Sequence, residues 1–86
     1  MIANFHQKFR KQLRKLNAKQ REQSRERIKQ FLRNPNDPQL RDHALHGPYV
    51  GYRSINVSGD LRAVYTLVAD DTCIFVAIGT HSALYE

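Results

Sequence analysis

Two very short turns constrain this chain more than any other feature. From Tyr49 onward it reads YVGYRSINV, then Ser58-Gly59-Asp60, then LRAVYTLVA, then Asp70-Asp71, then TCIFVAI. The three long segments are rich in β-branched and aromatic residues, the composition of strands. A connection of two or three residues joins only antiparallel neighbours, because a parallel crossover needs a dozen or more. The C-terminal half is therefore expected to be an antiparallel meander.

The first third has a different period. Phe5, Phe9, Leu13 and Leu16 recur at the spacing of one face of a helix. Asn17 is a natural N-cap for a second helix, from about Ala18 to Arg33, that buries Ile28, Phe31 and Leu32. Pro35 and Pro38 then end helical structure. Gln39 to Pro48 reads as a loop, and residues 2–5 as a short edge strand. Helices first and strands afterwards predict an α+β fold, two N-terminal helices packed on a small antiparallel meander. With 86 residues, the chain is expected to form one domain over 1–86.

Charge is distributed unevenly. Residues 1–33 hold eleven Lys and Arg against two Glu, a net +9, while the remainder holds three Arg against six acids, a net −3. A basic helical half points to a polyanionic partner, although a merely solvated face has the same composition. Such a basic N-terminus is also the composition of a transit peptide, but this one carries apolar spacing that the domain needs. No apolar stretch approaches the roughly 20 residues of a membrane helix, and no apolar h-region suggests a signal peptide. The single Cys73 lies within an apolar strand, which fits a reducing cytoplasm better than a disulfide and makes it a poor nucleophile.

Register brings chemistry together. If Asp70-Asp71 is a two-residue turn, Arg62 falls opposite Gly79 and Asp60 opposite His81. The first turn puts Asn56 opposite Leu61 or Arg62. Asn56, Asp60, Arg62 and His81 are thus expected at one end of the sheet. An imidazole, a carboxylate and a guanidinium form a workable set for phosphoryl transfer. Histidine exchanges a proton near neutral pH, and arginine forks onto phosphate oxygens. RNA brings its own nucleophile, the 2′-hydroxyl, so neither a metal nor another cofactor is needed. Each residue also has an ordinary role. His81 can bond a carbonyl at a strand end, Asp60 can close a turn, Arg62 can pair with Asp60, and Tyr85 can pack on the sheet edge or stack on a base. His43 and His46 have a spacing that suits zinc on a helix, but Gly47 and Pro48 argue for a loop. HGPYVGY lacks the Lys-Ser/Thr of a phosphate-cradling loop.

The stretch from Asp42 to Glu86 resembles the C-terminal half of the YafQ branch of RelE-like toxins. The shared features are His-x-Leu-x-Gly, Gly-Tyr-Arg, an Asp closing a turn, and Gly-Thr-His-x-x-Leu. The resemblance implies a toxin of a type II toxin–antitoxin pair, a metal-independent endoribonuclease that cuts mRNA, commonly in the ribosomal A site. It implies a cognate antitoxin as partner, and often repression of their own operon by the complex. Carried over by position, His43, Asp60, His81 and the aromatic Tyr85 are the expected active-site residues. Three positions depart from the pattern: Asn56 replaces a histidine, Leu61 a tryptophan and Ala77 an arginine. Arg62 falls where RelE itself carries a catalytic arginine. Lys8, Lys11, Arg14, Lys15 and Asn56 are the expected RNA contacts. A ParE-like inhibitor of DNA gyrase on the same fold, and a nucleic-acid-binding module without cleavage, are the competing readings.

Overall fold

The computed structural model describes residues 1–85. The chain runs β1 (Ile2–Phe5), α1 (Gln7–Lys15), α2 (Ala18–Arg33), β2 (His43–Ala44), β3 (Arg53–Ser58), β4 (Leu61–Ala69), β5 (Thr72–Thr80) and α3 (His81–Tyr85), with 3-10 turns at Pro38–Leu40 and Gly47–Tyr49. The fold is α+β, as the order of helical and strand periods requires. The sheet has the order β1-β5-β4-β3-β2, antiparallel throughout the meander and parallel where β1 joins β5.

α2 has the expected bounds for a visible reason. Asn17 Oδ1 accepts from the Gln20 amide at 2.8 Å, and Gln20 Oε1 accepts from the Asn17 amide at 3.2 Å. This reciprocal box satisfies two donors that a helix start leaves open. Phe5 departs from the helical stripe. It sits in β1 opposite Phe75, the next amide bonding Phe75 O at 2.9 Å, and the helix starts after His6. Its ring still joins the core, 5.3 Å from Phe9 and 5.6 Å from Phe75 between centroids. The expected loop from Gln39 to Pro48 is more structured than its composition suggests. Leu40 is fully buried, and two residues of β2 pair with β3.

The main core lies between the helices and the sheet, built from Phe9, Ile28, Phe31, Ile55, Tyr65 and Phe75, with Leu32 partly buried against it. Cys73 is buried there too, and burial pushes its thiol up. A smaller cluster of Leu45, Val64, Ala77 and Leu84 packs separately. The pairing of β4 with β5 explains how one strand serves two clusters. Arg62 faces Gly79 and Ala69 faces Thr72, as a two-residue turn requires, but between them the register shifts by one and then back. Tyr65 pairs with Phe75 and Val64 with Ala77, so Val76 is an extra residue. Such a bulge reverses which face the following side chains occupy. Phe75 points at the helices, whereas Ala77 and Gly79 point to the opposite face. Among the described residues, no helix is long and apolar enough to cross a membrane.

Candidate active site

The last strand explains the Gly-Thr-His segment. Thr80 ends β5 and its hydroxyl accepts from the Ala83 amide at 3.2 Å, capping α3. Leu84 folds back over the sheet, and a Cβ built at Gly79 would stand 3.5 Å from it. His81 is thereby held, exposed, at the turn from strand to helix. Its amide bonds Asp60 O at 3.2 Å, and the neighbouring pair is Leu61 with Thr80. Asp60 and His81 are brought together as the register predicts.

Arg62 lies in the next row, between Asn56 on β3 and Gly79 on β5. Its Nη1 donates to Asn56 Oδ1 and, at 2.9 Å, to Gly59 O. Gly59 adopts a left-handed φ of 47° at this turn, a conformation that costs glycine little. The half-buried guanidinium is therefore held at the sheet end by the turn itself. It does not form an ion pair with Asp60 among the described residues.

His43 stands apart from this group. It pairs with Ser54 on β3, which pairs with Val64, which pairs with Ala77. It shares a sheet face with Asn56 and Arg62, one row away, but three strand spacings separate it from β5, about 14 Å. The row between them, Ser54, Val64 and Ala77, is buried under the smaller apolar cluster, so His43 and His81 cannot share a proton directly. The expected place of Tyr85 in the site concerns a side chain that lies outside the described residues.

The basic surface adjoins this face. β1 covers β5 only from Thr72 to Phe75; beyond it α1 takes over the edge, with Gln12 Oε1 accepting from the Ile78 amide at 2.9 Å. Lys8, Lys11, Arg14 and Lys15 are all exposed. His6, Lys8, Lys11, Gln12 and Lys15 line a shallow groove of about 390 Å³, and Lys8 also borders Tyr49, Tyr52 and Ala77. Lys8, Lys11 and Lys15 thus run beside β5, and Arg14 is exposed on the same helix.

Four residues of this region are not evident in the sequence: Asp42, Arg53, Ser54 and Tyr65. Ser54 is fully buried between His43 and Asn56, and its hydroxyl has no partner among the described residues. Asp42 accepts from Arg53 Nε at 2.7 Å and from the Tyr65 hydroxyl. Aligning β3 with the loop before it is the signal that reveals Ser54. The Asp42 network joins residues too far apart in sequence to leave a local signal. Among the described residues, no three His, Cys, Asp or Glu side chains converge as metal ligands would.

A sequence model of the family described as the bacterial toxin of type II toxin–antitoxin systems, YafQ, matches residues 1–86. The chain belongs to the YafQ family. It is therefore a type II toxin–antitoxin toxin, as the Gly-Tyr-Arg and Gly-Thr-His segments implied. The crystal structure of YafQ from E. coli strain BL21(DE3) superposes with a TM-score of 0.75 at 27% identity, covering 98% of this chain and 97% of that one. YafQ in the E. coli DinJ–YafQ toxin–antitoxin complex gives 0.72 at 26% identity, over 98% and 96%. The RelBE2 toxin–antitoxin complex from Mycobacterium tuberculosis gives 0.75 at 19% identity, over 93% and 96%, which shows the shared fold. No curated protein matches the chain significantly in sequence. In this YafQ-family toxin, Asn56 is the residue that fixes the arginine of the sheet end.

Proposed function

We propose that this toxin is a metal-independent endoribonuclease that cuts mRNA on translating ribosomes in the cytoplasm, and that a cognate antitoxin silences it. The observation that carries the reading is the junction of Asp60 with His81, with Arg62 fixed one row inward and the exposed cations of α1, the helix that packs against the edge of β5. One titratable group accepts the proton of the 2′-hydroxyl as its oxygen attacks phosphorus. Another donates a proton to the departing 5′-oxygen, leaving a 2′,3′-cyclic phosphate and a 5′-hydroxyl end. Arg62 faces the charge that develops on the phosphoryl oxygens. His81 and His43 are the groups suited to the proton transfers, and Asp60 holds the strand end beside His81. The antitoxin partner follows by kinship with the DinJ–YafQ complex.

The test is cleavage of a defined mRNA in a translating extract, with ends mapped by primer extension, beside the same RNA free in buffer with EDTA. New ends within the coding region, with cyclic phosphate on the upstream fragment, are expected in the extract. Any cleavage of the free RNA should persist in EDTA. A folded protein that produces no ends and blocks DNA supercoiling would instead act as a gyrase-type inhibitor.

The basic surface makes a second prediction. Changing Lys8, Lys11, Arg14 and Lys15 together to Gln should weaken binding of single-stranded RNA. Every phosphate that these side chains neutralise adds about 0.7 to the slope of log K against log salt, so a fall of about 2 to 3 is expected. An unaltered slope would make these residues a solvated face.

A further inference from the structure

We propose that Asp42, Arg53 and Tyr65 form a clamp that positions His43 and selects the tautomer in which its Nε2 is the basic nitrogen. The proposal rests on reading His43 as a group that handles a proton in the cleavage proposed above.

β2 is only two residues long and lies at the sheet edge, so its ladder is too short to fix a side chain by itself. His43 is exposed, and Arg41, two residues before it, has a left-handed φ of 47° as the C-cap of the 3-10 turn at Pro38–Leu40, its amide bonding Pro38 O at 3.2 Å. The 3-10 turn fixes Arg41, and the link from this cap to His43 is fixed through Asp42. Its carboxylate accepts from Arg53 Nε at 2.7 Å through Oδ1 and from the Tyr65 hydroxyl through Oδ2. Arg53 and Tyr65 are themselves paired across β3 and β4, so the clamp ties the lead into β2 to two inner strands. Successive side chains of an extended chain point to opposite faces. Asp42 is thus anchored on the helix side, while its neighbour His43 is delivered to the Asn56–Arg62 face. Burial and the bond to Asp42 hold the Tyr65 hydroxyl well above its ordinary pKa, so it stays a donor.

The clamp also fixes where the His43 proton resides. Its Nδ1 lies 2.9 Å from Arg41 O. A carbonyl only accepts, so Nδ1 carries hydrogen, and the lone pair of the neutral ring is left on Nε2. The carbonyl that enforces this belongs to the residue held in the left-handed conformation. Releasing Asp42 would leave the Arg41 cap in place but free the link to His43, so that the ring could turn away from this carbonyl.

Tyr65→Phe tests this with little risk to folding, since its ring keeps its places 4.8 Å from Phe31 and 5.4 Å from Phe75. Asp42→Ala is the stronger variant. Side-chain nitrogen NMR of wild type should show His43 in the Nδ1-protonated tautomer. Both variants should move its signals toward those of free imidazole and leave His81 unmoved. Cleavage should fall about tenfold in kcat with KM unchanged, because a displaced catalytic group loses alignment and not binding. Folded variants that lose melting temperature but keep the His43 signals and kcat would make the clamp purely structural and overturn the proposal. A wild-type protein that cleaves nothing leaves the NMR result to decide the clamp. Full cleavage by His43→Ala removes the catalytic role on which the proposal rests.

Discussion

His81→Ala is expected to fold like the wild type and to cleave RNA at least about 10²-fold more slowly, the usual loss when a positioned acid or base is removed. The fold should survive because His81 is exposed and what anchors it lies elsewhere. α3 is held by the Thr80 cap, by buried Leu84, and by the Tyr49 hydroxyl, which donates to Leu84 O at 2.9 Å. The bond between Asp60 and residue 81 runs through the backbone and remains in alanine. The variant therefore removes the proposed proton-handling group while these anchors of α3 remain. His81→Gln sharpens the reading, since an amide fills the space and hydrogen-bonds without exchanging protons. If both variants are slow, proton transfer is what was lost; if only Ala is slow, His81 orients the RNA. Circular dichroism and melting temperature would establish that the variants are folded. Cleavage at the wild-type rate by folded His81→Ala would remove the imidazole from the mechanism.

The site was half legible in the sequence, and the division follows from the range of the interactions. The turns at Gly59-Asp60 and Asp70-Asp71 are local, so the opposition of Arg62 to Gly79 could be counted out residue by residue. Asn17 announced α2 because a cap and its helix are adjacent. The bulge at Val76 left no such mark. IFVAI is apolar at every position, and nothing in it shows that Phe75 and Ala77 serve opposite faces. The counting succeeded at the sheet end only because the second irregularity, near Val68, compensates the first. β2 was invisible for another reason. Two residues carry no period, and what secures them is Asp42 reaching Arg53 and Tyr65, 11 and 23 positions away. His43 entered the reading through family resemblance, and its separation from His81 came only with the coordinates. In the proposed cleavage, therefore, the substrate and not a shared proton connects the two.

That separation gives Arg62 its weight, and Arg62→Ala is expected to lower kcat by about 10² to 10³, the loss typical of one preorganised group facing transition-state charge. The arginine lies on the face between the two histidines, held through Nη1 by Asn56 and Gly59 O. Being held in advance matters more than its charge alone, because no reorganisation is then needed as the phosphoryl oxygens become more negative. Lysine keeps the charge but loses the planar fork, so Arg62→Lys should recover only a part of the rate. Asn56→Ala leaves the guanidinium in place but loosens its hold, and should cost less than Arg62→Ala. The two kinetic constants separate the possible roles. If Arg62 acts on the transition state, kcat falls and KM changes little; if it only binds RNA, KM rises while kcat stays. A double variant with His81 adds a second check. Groups that act on one reacting phosphate lose less together than the product of their separate losses, because each needs the other in place. Fully multiplicative losses would mean that Arg62 and His81 serve different parts of the RNA. The sheet end would then be a binding surface, with the chemistry elsewhere on the chain.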